Sequence, residues 1–170
     1  RKFYLAWLAD VPDGAIDGRS PDLAQGGKDL RSDAWHSLSH YVRKNDVAKR
    51  VECFEVDVPE RARSGAKLAE LRYRVLETGD QGALVEIELL TGRKHQIRAQ
   101  FSHLGCPIVG DQKYDWDSRS GQKFEPYSIA LHACRLEFEH PTRKEPLCFR
   151  STPGEMWRGL PKEWRRRIND

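Results

Sequence analysis

The sequence predicts an α+β domain built on a mostly antiparallel β-sheet core with a few flanking helices. Two observations support this class. Apolar and polar residues alternate in several segments, as they do in strands with one buried face, and a clear helical period occurs once, just after Thr91. The length of 170 residues fits a single domain, residues 1–170, without internal repeats.

Several segments along the chain predict strands. Residues 2–9 are aliphatic and aromatic and end at a turn, whereas residues 35–44 are compatible with either a short helix or an edge strand. The other predicted strands are 51–58, 71–75, 85–89, 128–139 and 146–151. The tetrapeptide Gly79-Asp80-Gln81-Gly82 has the composition of a hairpin turn. Together these segments predict a meander of antiparallel strands.

One helix is predicted over residues 94–104. Ile97, Phe101 and Leu104 form its apolar stripe, and Gly105 is placed to end it. Arg98 lies at the border of this stripe, where a long side chain can be partly buried and still present its charge. A short basic helix is predicted at 162–167, and loops are predicted at 16–33 and 116–126.

Composition excludes several classes of protein. The chain is 38% hydrophobic with a net charge of +3, and it contains no apolar run near the ~20 residues that span a bilayer. The four cysteines, Cys53, Cys106, Cys134 and Cys148, form no C-x-x-C pair, so we expect buried free thiols in a reducing cytoplasm. His36 and His40 are four residues apart but have no evident third ligand, so we expect no metal site.

The segment Thr91-Gly92-Arg93-Lys94-His95-Gln96-Ile97-Arg98 carries the strongest functional pattern. It joins a strand to a helix through a Thr-Gly turn and concentrates three cations within eight residues. Backbone N–H groups at the start of a helix favour anions, and clustered Arg and Lys strengthen that preference. The segment therefore predicts a partner that carries phosphate.

These motifs resemble those of one enzyme family. The patterns L-x-T-G-R-x-H-Q-I-R, G-x-P-I-x-G-D-x-x-Y, Leu131-His132-Ala133 and Phe138-Glu139-His140-Pro141 occur in the order seen in RluA-type RNA pseudouridine synthases. Residues 2–6 resemble the strand that carries the family's active-site tyrosine. The resemblance extends from Lys2 to about Pro153 and implies an RNA partner, with ribosomal RNA first and transfer RNA next.

The resemblance also implies a reaction and residue roles. The family isomerises uridine by breaking the N-glycosidic bond, turning the base and rejoining it through C5, without cofactor or metal; the base must leave the helical stack. Tyr4 would lie against the flipped uracil, and Arg98 would pair with the catalytic aspartate. The residues expected to meet RNA or form the pocket are Thr91, Gly92, Arg93, Lys94, His95, Gln96 and His132. Gly110, Asp111 and Tyr114 are expected to support the turn after the helix.

One family motif has no match. The nucleophilic aspartate belongs to an H-R-L-D-x-x-T-S-G-type motif that precedes the tyrosine strand, and neither Asp10 nor Asp13 lies in that context. Arg98 is therefore expected to lack its ion-pair partner, and the chain alone is expected to be inactive. We also expect the domain to be incomplete at its N-terminal side, with a missing N-terminal segment as its partner and an uncovered sheet edge and apolar surface.

Two other hypotheses remain open at this stage. The chain could be a truncated, non-catalytic relative that only binds RNA. It could also be a protein-interaction domain in which the basic loop is incidental, although this leaves the order of the motifs unexplained.

Overall fold

The computed structural model describes residues 1–12, 34–114 and 128–168. Within these ranges the chain forms a seven-stranded antiparallel sheet with one α-helix, which confirms the predicted α+β class. The strands are β1 (Lys2–Leu8), β2 (His36–Asn45), β3 (Arg50–Phe54), β4 (Lys67–Gly79), β5 (Gly82–Leu89), β6 (Leu131–Glu139) and β7 (Pro146–Arg150), and the helix α1 spans Gln96–His103. Two short 3-10 helices follow at Glu155–Gly159 and Trp164–Ile168. The loops predicted at 16–33 and 116–126 lie outside the described residues.

The strand order is β3-β2-β4-β5-β1-β6-β7, so the predicted meander is wrong in its placement of β1. This first strand pairs with both β5 and β6 in the interior of the sheet. Its nearly continuous apolar sequence fits a strand that is buried on both faces. The ambiguous segment 35–44 forms a strand that is flanked on both sides, while β3 is an edge strand and ends at Phe54, four residues earlier than predicted.

The hairpin turn between β4 and β5 is confirmed. Gly79 pairs with Gly82 across a two-residue turn. Gly82 has φ +97°, and a Cβ added there would lie 2.0 Å from the carbonyl oxygen of Leu8. Only glycine fits this position, because the turn packs directly against the end of β1.

One face of the sheet packs against α1. The ring of Tyr73 on β4 contacts the ring of Phe101 edge-on, with centroids 5.3 Å apart. Ile97 and Phe101 belong to the same buried cluster as Tyr73 and Ile87, which are paired across β4 and β5. The apolar stripe predicted for the helix therefore faces the sheet and packs α1 against it on the side of β2, β3 and β4.

The opposite face of the same strands carries buried charge. Arg72 pairs with Glu88 and Arg74 with Glu86 across β4 and β5, and the Arg74 Nε to Glu86 Oε2 distance is 2.8 Å. The Glu88 side chain is only 4% exposed, and Arg1 donates to it from Nε at 2.6 Å. The hydrogen bond from Arg1 lowers the pKa of Glu88 in spite of its burial, so this carboxylate stays ionised.

The chain end covers the other part of that face. Trp157, Leu160 and Trp164 belong to the main buried cluster together with Trp7 of β1. The predicted basic helix is a 3-10 turn at Trp164–Ile168. None of the helices in the described ranges is long and apolar enough to cross a lipid bilayer.

Candidate active site

The loop before α1 is held from inside by the Gln96 side chain. Gln96 is 3% exposed, and its Oε1 accepts hydrogen bonds from Thr91 Oγ1 and from the backbone N–H of Arg93, both at 2.9 Å. Its Nε2 donates to the carbonyl oxygen of Glu70 at 3.0 Å. Because His95 takes the left-handed N-cap position (φ 49°), the helix begins at Gln96, two residues later than predicted. Gln96 and Thr91 therefore shape the loop from its interior.

The tip of this loop, formed by Gly92, Arg93 and Lys94, is exposed. Arg93 Nε donates to the carbonyl oxygen of Leu68 at 2.9 Å, which orients its guanidinium along the surface. A Cβ added to Gly92 would have no heavy atom within 4 Å, and its φ is not in the left-handed region. The fold itself therefore does not require glycine here.

The expectation that Arg98 lacks an ion-pair partner is wrong. Arg98 donates to Asp111 through two parallel hydrogen bonds, Nε to Oδ2 and Nη2 to Oδ1, each 2.7 Å long. The Asp111 side chain is 0% exposed and that of Arg98 20%. Hydrogen bonding to Asp111 raises the pKa of Arg98, so the guanidinium is charged at any physiological pH. Thirteen residues separate the partners in sequence, and the turn after α1 brings them together.

Asp111 and Tyr114 brace the turn that follows α1. Asp111 Oδ1 accepts hydrogen bonds from the backbone N–H groups of Lys113 and Tyr114, and Gly110 has a left-handed φ of +81°. Ser102 Oγ on α1 donates to the Tyr114 carbonyl oxygen at 2.7 Å. These contacts are those expected of residues that support the turn.

Tyr114 also links the loop residue His95 to strand β3. The Val51 backbone N–H donates to the Tyr114 hydroxyl oxygen at 2.9 Å, and that hydroxyl lies 2.9 Å from His95 Nδ1. The Tyr114 hydroxyl oxygen accepts the hydrogen bond from Val51, so its proton can point at Nδ1 of His95. His95 then accepts a hydrogen bond at Nδ1. Burial, followed by the nearby Arg98, lowers the pKa of His95, so this ring is neutral at pH 7.

Tyr4 lies in a different part of the sheet. It is half-buried and lines a cavity of about 310 Å³ with residues of β6 and β7, among them Cys134, Leu136 and Phe149. On β1 and β6, Tyr4 pairs with Ala133, and the next residue, Leu5, pairs with His132. The side chains of Tyr4 and His132 therefore point to opposite faces of the sheet. His132 Nε2 donates to the Ser151 carbonyl oxygen at 3.0 Å, and His132 is not among the residues that line this cavity.

Tyr4 and Arg98 share one face of the sheet but do not touch. Tyr4 is in register with Ile87 and Tyr73, and Tyr73 contacts Phe101, which lies one turn after Arg98 on α1. In the described part of the chain no hydrogen bond joins Tyr4 to Arg98. Most of the predicted site residues therefore lie around the Arg98–Asp111 pair, Tyr4 lies at its cavity, and His132 lies on the opposite face of the sheet.

None of the four cysteines forms a disulfide. Cys106 is buried, whereas Cys148 is exposed, contrary to the expectation of buried thiols. Burial raises the pKa of Cys53 to about 12. Within the described residues, His40, Cys53 and His103 form the one group of His, Cys, Asp and Glu side chains close enough together to hold a metal ion. Sequence reasoning missed this group, because its members come from three separate elements.

The arrangement is that of an α+β domain with a basic loop before its helix, and comparison with known proteins identifies the family. The family model described as RNA pseudouridylate synthase matches residues 1–103. The chain belongs to this family, and its curated relatives are of the RluA type.

The names of the relatives specify two kinds of RNA substrate. A tRNA pseudouridine synthase C from Vibrio cholerae is 38% identical over 84 residues, which cover 48% of this chain and 34% of that protein. A ribosomal large subunit pseudouridine synthase C from Vibrio vulnificus is 33% identical over 110 residues, covering 60% and 33%. The matched part of this chain thus spans about a third of the length of these relatives.

Solved structures share the fold. The human RNA pseudouridylate synthase domain containing 1 aligns with a TM-score of 0.61 and 25% identity, over 89% of this chain and 54% of that one. The human domain containing 4 aligns with a TM-score of 0.57 and 21% identity, over 94% and 61%. The fold of the described sheet is therefore that of pseudouridylate synthase domains.

Proposed function

We propose that this chain forms part of the catalytic domain of an RNA pseudouridine synthase, with ribosomal RNA as the first candidate substrate and transfer RNA as the second. The observation that carries the proposal is the exposed tip Gly92-Arg93-Lys94, held by buried hydrogen bonds of Gln96, in a chain whose family match covers residues 1–103. A rigid loop that presents two cations and a residue without a side chain suits a close approach of the phosphate backbone.

In this proposal the uracil base binds in the cavity that Tyr4 lines. Its volume of about 310 Å³ lies at the lower end of the range for small-molecule sites, roughly 300–1,000 Å³. Tyr4 would lie against the flipped uracil and assist removal of the C5 proton. The bond from N1 to the ribose carbon breaks and a bond from C5 to that carbon forms; C5 loses its proton and N1 gains one, so the reaction is an isomerisation that needs no oxidant or reductant.

Arg98 can serve Asp111 and a second carboxylate together. A guanidinium has five N–H donors, and Asp111 engages those of Nε and one on Nη2. The remaining donors can meet the nucleophilic aspartate, while Asp111 fixes the orientation of the fork. Asp111 is thus a positioning residue in this proposal. The nucleophile itself is absent from the 170-residue sequence, so this chain alone is inactive.

The reaction can be followed by release of tritium from RNA labelled at C5 of uridine. The 170-residue chain should release none above background, whereas the whole protein encoded by its gene should release tritium from ribosomal or transfer RNA. Tyr4→Phe in that whole protein should reduce the rate at least tenfold. Release by the 170-residue chain alone would overturn the absence of a nucleophile. RNA binding by the whole protein without any release would favour the non-catalytic relative.

RNA contact by the loop is tested by salt-dependent binding. Arg93→Ala and Lys94→Ala should each weaken RNA binding and lower the slope of log K against log salt by about 1, because each removes one phosphate contact. Fluorescence anisotropy with a labelled RNA measures both quantities. The matched controls are the exposed cations Arg143→Ala and Lys162→Ala, which should leave the slope unchanged. Equal effects at all four positions would remove the loop from the interface, and no binding at all would favour the protein-interaction hypothesis.

A further inference from the structure

Three metal-binding side chains meet between the β2–β3 hairpin and α1. His40 lies on β2, Cys53 on β3, and His103 is the last residue of α1. One ring nitrogen of each histidine and the Cys53 Sγ all lie within 4.8 Å of one another. We infer that these residues form a binding site for a transition-metal ion of the zinc class.

The Glu55 carboxylate lies beside both histidines and is the candidate for a fourth ligand. Its Oε1 lies 2.8 Å from His103 Nε2 and 3.7 Å from His40 Nε2, so both ring nitrogens converge on one carboxylate oxygen. The two imidazole rings are nearly perpendicular, with centroids 5.2 Å apart. Two nitrogens and one sulfur supply three ligands of a tetrahedral zinc site, and the Glu55 carboxylate would have to rotate towards this group to add the fourth.

The register of the hairpin explains why these residues meet. Val42 pairs with Cys53 and Tyr41 with Phe54, so continuation of the same register sets His40 opposite Glu55. Side chains two residues apart on a strand share a face, which places His40, Cys53 and Glu55 on one side of the hairpin. The C-terminal end of α1 packs on that side and adds His103.

The ligand types select the metal. Thiolate and imidazole favour Zn²⁺ and Co²⁺ over Mg²⁺ and Ca²⁺, which take oxygen ligands. Zinc bonds of about 2.0–2.3 Å place tetrahedral ligand atoms roughly 3.3–3.8 Å apart. The present spacing of up to 4.8 Å must therefore close by about 1 Å when the ion binds, and His103 is the exposed member of the group.

Two neighbouring features suit such a site. Cys53 and His103 border a cavity of about 320 Å³ that gives an ion a path to the ligands. Gln100 is fully buried with its Oε1 lacking a hydrogen-bond partner among the described residues, while its Nε2 lies 3.1 Å from His40 Nδ1. Rotation of the amide by 180° would let Oε1 accept from Nδ1–H, at the expense of the bond from Nε2 to the Ala69 carbonyl oxygen. That tautomer is the one that metal binding through Nε2 requires.

The bound ion would tie the edge of the sheet to the functional helix. β3 is an edge strand, and α1 carries Arg98 four residues before Ser102 and five before His103. An ion held by both elements would stabilise the packing of α1 on the β2–β3 hairpin. This is a structural role, separate from the chemistry proposed for Tyr4 and Arg98.

The test is a titration of the metal-free 170-residue chain with Zn²⁺, followed by calorimetry and thermal unfolding. We expect one ion per chain with a dissociation constant below about 1 μM and a rise in Tm that EDTA reverses. Co²⁺ should give the intense visible bands of a tetrahedral site and a thiolate-to-metal charge-transfer band. Cys53→Ser and His103→Gln should each weaken Zn²⁺ binding at least 100-fold, and Cys53→Ser should abolish the charge-transfer band.

Cys148→Ser is the matched control, because Cys148 is an exposed free thiol on β7, outside this group. It should bind Zn²⁺ like the original chain. His103→Gln keeps a polar group near Glu55 and is therefore a mild change. Circular dichroism of the metal-free variants shows whether each one is folded, which separates loss of metal binding from loss of fold. Absence of a one-to-one Zn²⁺ complex in the folded chain, or equal binding by Cys53→Ser, would overturn the proposal and leave a hydrogen-bonded His-Glu-His cluster.

Discussion

The Arg98–Asp111 pair shows how one residue of the motif serves both stability and the proposed chemistry. Its two hydrogen bonds of 2.7 Å hold a carboxylate with 0% side-chain exposure. Removal of one partner from a buried ion pair leaves the other charge without compensation. We therefore predict that Arg98→Ala lowers the stability of the chain.

Arg98→Ala should lower the free energy of unfolding by about 3 kcal/mol, because Asp111 is left buried and unpaired. Arg98→Lys keeps the charge but loses the fork geometry and should lower it by about 1–2 kcal/mol. Urea denaturation measures both values. The exposed Arg143→Ala serves as control and should stay within about 0.5 kcal/mol of the original chain. A loss below 0.5 kcal/mol for Arg98→Ala would contradict the pair's structural role.

His95 should make stability depend on pH. Burial and the nearby cations lower its pKa in the folded state below the ordinary value of 6.5, so the unfolded chain binds the proton more readily. The free energy of unfolding should then fall as the pH drops below 6.5 and level off beneath the folded pKa. Histidine NMR titration gives that pKa directly, and His95→Gln should reduce the slope of stability against pH. A His95 pKa at or above 6.5 would refute this prediction.

At the scale of elements, the loop before α1 separates its structural residues from its exposed ones. Gln96 makes three hydrogen bonds inside the loop, whereas Gly92 has open space around it. Sequence alone placed both in one RNA-binding group. The distinction depends on which side chains turn inward, and this is set by the Glu70 backbone on a neighbouring strand.

Gln96→Ala should destabilise the chain by about 2–3 kcal/mol, because buried donors and acceptors lose their partners. Gly92→Ala should change stability by less than about 0.5 kcal/mol, since the added methyl group meets nothing within 4 Å. Thermal and urea unfolding test the contrast. If Gly92→Ala weakens RNA binding without loss of stability, the weaker binding is attributable to contact between this residue and RNA. Similar stability losses in the two variants would show that Gln96 does not organise the loop.

At the scale of the whole molecule, the described residues of the sheet include an exposed apolar region. Leu136, Phe138 and Phe149 are 40%, 42% and 56% exposed on β6 and the edge strand β7. The rings of Phe138 and Phe149 stack with centroids 5.9 Å apart. This matches the expected uncovered apolar surface, and an exposed apolar edge favours pairing with another chain.

The 170-residue chain should therefore self-associate at micromolar concentrations. Phe149→Thr should reduce association at least tenfold in sedimentation velocity experiments, because it interrupts the apolar region beside an open edge. Val47→Thr is the control, since Val47 is 94% exposed but stands alone in the β2–β3 turn. A chain that stays monomeric at 100 μM, or an equal effect of both variants, would contradict the prediction.

The local elements were predictable because periodicity and turn chemistry act over a few residues. β1, β4, β5, the Gly79–Gly82 turn and the helix through Phe101 all occur where the sequence places them. Sequence could not place β1 in the interior of the sheet, because strand order depends on which apolar faces bury together. It also missed the helix start at Gln96, where the left-handed backbone of the N-cap residue His95 sets the boundary.

The sequence by itself determined the family, through the Thr91–Arg98 and Gly105–Tyr114 motifs, and the class of fold, through alternation. Only the tertiary structure decided the partners of its charged and polar side chains. Arg98 meets Asp111 rather than standing alone, and His40, Cys53 and His103 converge from three elements. Such pairings depend on the three-dimensional packing of distant segments, so the spacing of residues along the chain does not predict them.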